Sequence, residues 1–157
     1  MLDKIRETFN LDSRQLETYS PLTLAYIGDV VYELVIRTVL SESAEGSAKV
    51  HTKKASELAK AVTQAKMAKT LVGSASNESK KSDAESLCET FLTADEIAMY
   101  KRGRNANTTH GAKSASAGEY RSATGFEALV GWLFLKGEDD RLLEIIQEGW
   151  KRIKIKF

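Results

Sequence analysis

Asp29 interrupts an otherwise apolar stretch, Leu24-Ala25-Tyr26-Ile27-Gly28-Asp29-Val30-Val31-Tyr32, that is long enough for several helical turns. An ionised carboxylate is costly to remove from water unless it is paired, hydrogen-bonded or bound to a metal, so the sequence predicts a buried Asp29 with a partner. Glu127 is placed the same way within Thr124-Gly125-Phe126-Glu127-Ala128-Leu129-Val130-Gly131-Trp132-Leu133-Phe134-Leu135. Two such carboxylates, far apart in the chain, could share one cation. Taken singly, Asp29 reads better as a buried hydrogen-bond acceptor and Glu127 as a helix-surface charge; jointly they favour metal binding.

Helices must position both acids. Ser20-Pro21 suits an N-cap and first helical position, and a helix over 21–41 follows. Its apolar residues surround most of the circumference, which implies a central or interface helix. Asp29, Glu33 and Arg37 lie four residues apart on one stripe, where Glu33 and Arg37 are expected to pair at a solvated edge. Glu127 falls on a predicted helix over 119–136, and Gly137-Glu138-Asp139-Asp140 leads into a last helix carrying Leu142, Ile145, Ile146, Trp150 and Ile153. Gly28, Gly125 and Gly131 flank the carboxylates. Helix glycines are destabilising, so close helix approach is the expected compensation.

Between these helices, Ser47 is a candidate cap for a helical region reaching Val72, with a break near Thr63. Residues 73–81 read as a loop, and helices over 82–91 and 94–105 follow, the second opened by a Thr93–Glu96 capping box. Residues 106–118 contain no large apolar side chain and are expected to form an exposed, mobile loop. Strand patterns are absent. The expectation is an all-α fold in a single domain spanning 1–157.

With 157 residues and 42% hydrophobic content, such a domain can bury roughly 70% of its unfolded surface. A formal charge of +1 excludes a global electrostatic field for polyanions, so any such contact must come from local basic clusters. The lone Cys88 excludes an intramolecular disulfide and reads as a packing residue in a reducing compartment. No signal-peptide pattern or membrane-length apolar stretch occurs, so the chain reads as cytoplasmic and soluble.

The segment YIGDVVYE at 26–33 resembles the ribonuclease III signature, written around F-L-G-D-A-V-L-E. GFEALVGWLFL at 125–135 is similar to that family's second acidic motif, F-E-A-L-I-G, while KRGRNA at 101–106 and EYRSATGFEAL at 119–129 resemble its short branch, Mini-ribonuclease III. The blocks occur in the family's order and span nearly the whole chain. The resemblance implies the family's helical endonuclease fold without room for a separate C-terminal double-stranded-RNA-binding domain.

It further implies that Asp29 and Glu127 are catalytic residues that hold Mg2+, with Mn2+ as a substitute, at a scissile phosphate of double-stranded RNA. A carboxylate-bound Mg2+ supplies an activated water and neutralises transition-state charge. The products would carry 5′-phosphate and 3′-hydroxyl ends. Larger family members carry three more carboxylates, at positions that here are Leu22, Ala25 and Thr124, a reduction the Mini branch shares. More water is therefore expected around the metal. A homodimer joined through the signature helices is implied, one site cutting each strand. Precursor large-subunit ribosomal RNA is the implied substrate, with ribosomal proteins or the large subunit as possible further partners.

The preferred RNA surface is Lys101, Arg102, Arg104, Lys113 and Arg121, around the 106–118 loop. Simple solvation and compensation of a helix C-terminus would explain the same charges. Lys49 and Lys53, within the lysine-rich 47–72 region, form a second candidate surface, although such an excess is usually a solvated face. A protein of a different class would also fit: an RNA-binding or ribosome-assembly protein that keeps the fold without catalysis, or a helical interaction module without RNA binding.

Overall fold

The computed structural model describes residues 1–43, 46–73, 90–107 and 116–156. Seven α-helices occur among them: α1 (Leu2–Thr8), α2 (Pro21–Ser43), α3 (Ala48–Ala59), α4 (Ala61–Val72), α5 (Ala94–Arg104), α6 (Ala117–Lys136) and α7 (Asp139–Arg152), with a 3-10 turn at Leu16–Thr18. No strand is present among the described residues, as the periodicity predicts. The helix expected over 82–91 lies outside the described residues except for Thr90 and Phe91, which are not helical. Cys88, Lys113 and most of the 106–118 loop also lie outside them.

Local chemistry sets the helix starts. The Ser20 hydroxyl accepts the Thr23 backbone N–H at 3.0 Å, so α2 begins at Pro21. Thr93 and Glu96 form the expected capping box at the start of α5. A second box, Ser116 with Glu119, starts α6 at Ala117, ahead of the predicted 119. Ser47 precedes α3 without a side-chain cap bond. α1 and the 3-10 turn were not apparent in the sequence; Leu2, Leu16 and Tyr19 pack partly against the core.

The break in the 47–72 region falls at Lys60, whose extended backbone (φ −61°, ψ 138°) separates α3 from α4. The Thr63 hydroxyl donates to the Glu57 carbonyl at 2.8 Å and fixes this corner. Lys60 itself pairs with Glu57 at 2.6 Å.

Helix α6 is the central element, with α2, α4 and α5 packed around it and α7 closing against α4 and α6. At the core, the Tyr32 ring meets Phe126 edge-on with centroids 5.2 Å apart, and Trp150 Nε1 donates to the Tyr32 hydroxyl at 3.0 Å. Among the described residues only one side of α2 is covered. Leu24, Ala25, Gly28, Tyr32, Ile36 and Leu40 are buried, whereas Leu22, Tyr26, Val30 and Leu34, spaced by four, form an exposed apolar row in which Tyr26 is 77% exposed. None of the helices among the described residues is long and apolar enough to cross a membrane.

Arg141 of α7 anchors α5. Its guanidinium donates to both Glu96 carboxylate oxygens, at 2.8 and 2.9 Å, and to the Phe91 carbonyl at 2.9 Å, while it lies over the Phe91 ring. These bonds hold the Glu96 carboxyl below its ordinary range against the opposing effect of its burial. Arg141→Met strands that buried carboxylate and should lower unfolding free energy by about 3 kcal/mol, read from urea denaturation.

Candidate active site

Two glycines let α2 and α6 cross backbone on backbone. A Cβ built on Gly28 would overlap the carbonyl of Glu127, and one on Gly131 would overlap the carbonyl of Leu24. Because Gly28 touches Glu127 itself, the crossing necessarily sets Asp29 and Glu127 on its flank. Gly125 makes the equivalent approach to α5, where a Cβ would lie 2.7 Å from the Tyr100 carbonyl. All three glycines have the packing role their sequence positions suggest.

The two acids differ in environment. Glu127 is half-buried, and its carboxyl is pushed up to about 8, first by burial and then by the negative charge of Asp29, against an opposing hydrogen bond from Gln64. Asp29 is exposed, which corrects the expectation of a buried acid. The face of α2 that meets α6 passes through Gly28, and Asp29 is rotated one residue away from it toward solvent. Neighbouring groups still partly desolvate Asp29, and Glu33 adds a like charge, so its carboxyl also lies above the ordinary range. Glu33 pairs with Arg37 at 2.6 Å, as predicted.

Among the described residues no basic group forms an ion pair with Asp29 or Glu127. Two mutually repelling carboxylates without a countercharge suit a hard divalent cation that takes oxygen ligands. The described residues offer no cluster of three or more acidic, His or Cys groups for such an ion. The positions that are acidic in larger relatives fit this reduced ligand set: Leu22 is exposed, Ala25 is buried, and the buried Thr124 turns its hydroxyl back to the Tyr120 carbonyl at 3.1 Å.

Gln64 was missed. It lies on α4 with no exposed surface and directs its amide to Glu127. The available signal was a single amide among small apolar residues, Ala61, Val62, Ala65 and Ala68, at core spacing.

The basic candidates separate. Lys101, Arg102 and Arg104 occupy the last turn of α5 and are exposed, with Arg102 reaching the Tyr19 carbonyl at 3.5 Å. Arg104 lines a groove of about 460 Å³ between α4, α5 and α6, shared with Lys66, Lys69, Tyr100 and Ser122. Arg121, on the second turn of α6, is exposed but does not line the groove, and Lys49 and Lys53 are exposed on α3 away from it. Lys66 and Lys69 belonged to the lysine excess in the sequence; the groove joins them to Arg104.

Residues 22–138 match the Ribonuclease III domain family. The chain is 36% identical over 135 residues to a Mini-ribonuclease 3 of Clostridium tetani, covering 85% of this chain and 78% of that protein. It is 34% identical over 140 residues to a Mini-ribonuclease 3 of Enterococcus faecalis, covering 89% of this chain and 95% of the relative. A crystal structure of a Fusobacterium nucleatum protein superposes with a TM-score of 0.69 at 24% identity, covering 88% of this chain and 98% of that one, which supports the fold. With the helical architecture and paired carboxylates above, these matches show that the chain belongs to the ribonuclease III family, on its Mini-ribonuclease 3 branch, and is an endoribonuclease.

Proposed function

We propose that this protein is a Mg2+-dependent endonuclease of double-stranded RNA in which Asp29 and Glu127 hold the metal, with Mn2+ able to substitute. The observation that carries this reading is the pair of uncompensated carboxylates fixed beside the α2–α6 crossing. A bound divalent ion supplies Lewis-acid stabilisation and an acidified water for phosphodiester hydrolysis. The chain's own part is to fix the acids on crossed helices and to present phosphate-binding cations. Lys66, Lys69 and Arg104, with Lys101 and Arg102 on the same turn of α5 and Arg121 on α6, are suited to backbone contacts that read duplex shape. Resemblance to the Mini branch supports precursor large-subunit ribosomal RNA in the cytoplasm as the substrate and ribosomal proteins as further partners.

The test is incubation of a long RNA duplex with and without Mg2+. Metal-dependent cutting to 5′-phosphate ends is expected. Duplex binding without cutting at any Mg2+ or Mn2+ concentration would instead establish a non-catalytic RNA-binding protein.

The exposed Leu22, Tyr26, Val30 and Leu34 row supports a homodimer through paired α2 helices, because soluble monomers rarely leave such a continuous apolar face uncovered. Tyr26→Glu combined with Val30→Lys should halve the mass measured by light scattering. An unchanged dimer would place the interface elsewhere.

Glu127 also predicts a pH dependence. Its metal-free carboxyl near 8 is protonated at lower pH, so protons compete with the cation. The Mn2+ dissociation constant should fall about tenfold per pH unit from about pH 6 to 8 and then level off, in direct titrations. Stability of the metal-free protein has the opposite trend. The native acid keeps a proton that the unfolded chain releases above its ordinary 4.5, so this group's contribution declines between about pH 4.5 and 8.

A further inference from the structure

Gln64 is a costly residue to bury where it is. Its side chain has no exposed surface, its Nε2 donates to the Ala59 carbonyl at a long 3.4 Å, and its Oε1 has no partner among the described residues. A buried amide oxygen without a donor destabilises a fold, and an apolar side chain of similar volume would avoid that cost. Packing alone therefore does not account for an amide here.

The surrounding geometry explains which end of the amide matters. The α3–α4 corner at Lys60 interrupts the helical ladder, and the Ala59 carbonyl is an acceptor at the end of α3. The Glu127 carboxyl is also an acceptor when ionised. With Glu127 ionised, as it would be when holding a cation, both neighbours demand N–H groups, and Nε2 carries two, so one orientation of the amide serves both while Oε1 is left over.

We propose that Gln64 is a positioning residue: anchored by the Ala59 carbonyl, its Nε2 donates to one Glu127 oxygen and leaves the other for the cation shared with Asp29. Outer hydrogen bonds of this kind orient ligating carboxylates and characteristically change metal affinity by about 10–100-fold when removed. With two protein carboxylates at the site, one misdirected oxygen is a large fraction of the ligand set. This inference rests on Glu127 being a metal ligand, and the experiment below separates the two.

Mn2+ is titrated directly into the wild-type protein, Gln64→Met and Glu127→Gln, with thermal unfolding of each metal-free protein recorded in parallel. Gln64→Met removes an unsatisfied buried oxygen but also the donor to the Ala59 carbonyl, so it should unfold close to the wild-type temperature, yet bind Mn2+ at least about tenfold more weakly. Its KM for duplex RNA should be unchanged at saturating metal. A folded Gln64→Met with wild-type Mn2+ affinity would overturn the positioning role while Glu127→Gln still lost binding. Unchanged affinity in Glu127→Gln would overturn the metal reading and this inference with it. Should Gln64→Met fail to fold, the wild type decides: the Gln64 side-chain NH2 resonances should shift with Mg2+ in step with the Glu127 carboxyl carbon, and an unmoved Gln64 signal would overturn the proposal.

Discussion

Asp29→Asn and Glu127→Gln should each reduce cleavage of an RNA duplex by about 10³-fold, while the protein folds and binds the duplex as before. Each change keeps the side chain's shape and removes one of two anionic ligands. Metal-derived charge stabilisation is worth several kcal/mol, and about 4 kcal/mol corresponds to that loss in rate. The variants should differ in stability. Glu127 is half-buried and protonated in the metal-free state near neutral pH, so Glu127→Gln exchanges one neutral group for another and should not cost stability. Asp29 is exposed and repelled by Glu33, so Asp29→Asn should relieve repulsion between like charges. Gel-based cleavage with a matched duplex-binding assay checks both. Near-normal cutting by either variant at low Mg2+ would remove that residue from the site.

Gly28→Ala should be more damaging to the fold than either active-site change. The added methyl would overlap the Glu127 carbonyl and lie 2.7 Å from the Gly131 nitrogen, and these are backbone atoms that cannot rotate aside. The helices must separate, at a cost of about 3 kcal/mol or more. That separation also pulls Asp29 from Glu127, so Mn2+ affinity should fall even where the variant stays folded. Gly118→Ala provides the contrast, because its methyl meets only the Ser116 hydroxyl at 4.0 Å. There the better helix propensity should stabilise α6 by up to about 1 kcal/mol. Urea midpoints decide the matter; a Gly28→Ala protein as stable as the wild type would mean that α2 and α6 do not cross in contact.

The helical class, the Ser20 and Thr93 caps, the Glu33–Arg37 pair and the compensating role of the glycines were legible in the sequence, because each depends on residues within a few positions or on missing side chains. The motif resemblance supplied Asp29 and Glu127 as a pair. Local pattern could not say which side of α2 would meet α6, since a helix apolar around most of its circumference carries no single buried face. Asp29 was therefore expected inside and lies outside, while Leu22, Tyr26, Val30 and Leu34 remain uncovered. Gln64 illustrates the same limit. Its spacing on α4 marks a core position, but its partner belongs to α6, and only the packing of the two helices brings the amide to Glu127. The groove of Lys66, Lys69 and Arg104 likewise exists only after α4, α5 and α6 are assembled. Periodicity specifies a face of each helix; tertiary contact chooses what that face meets.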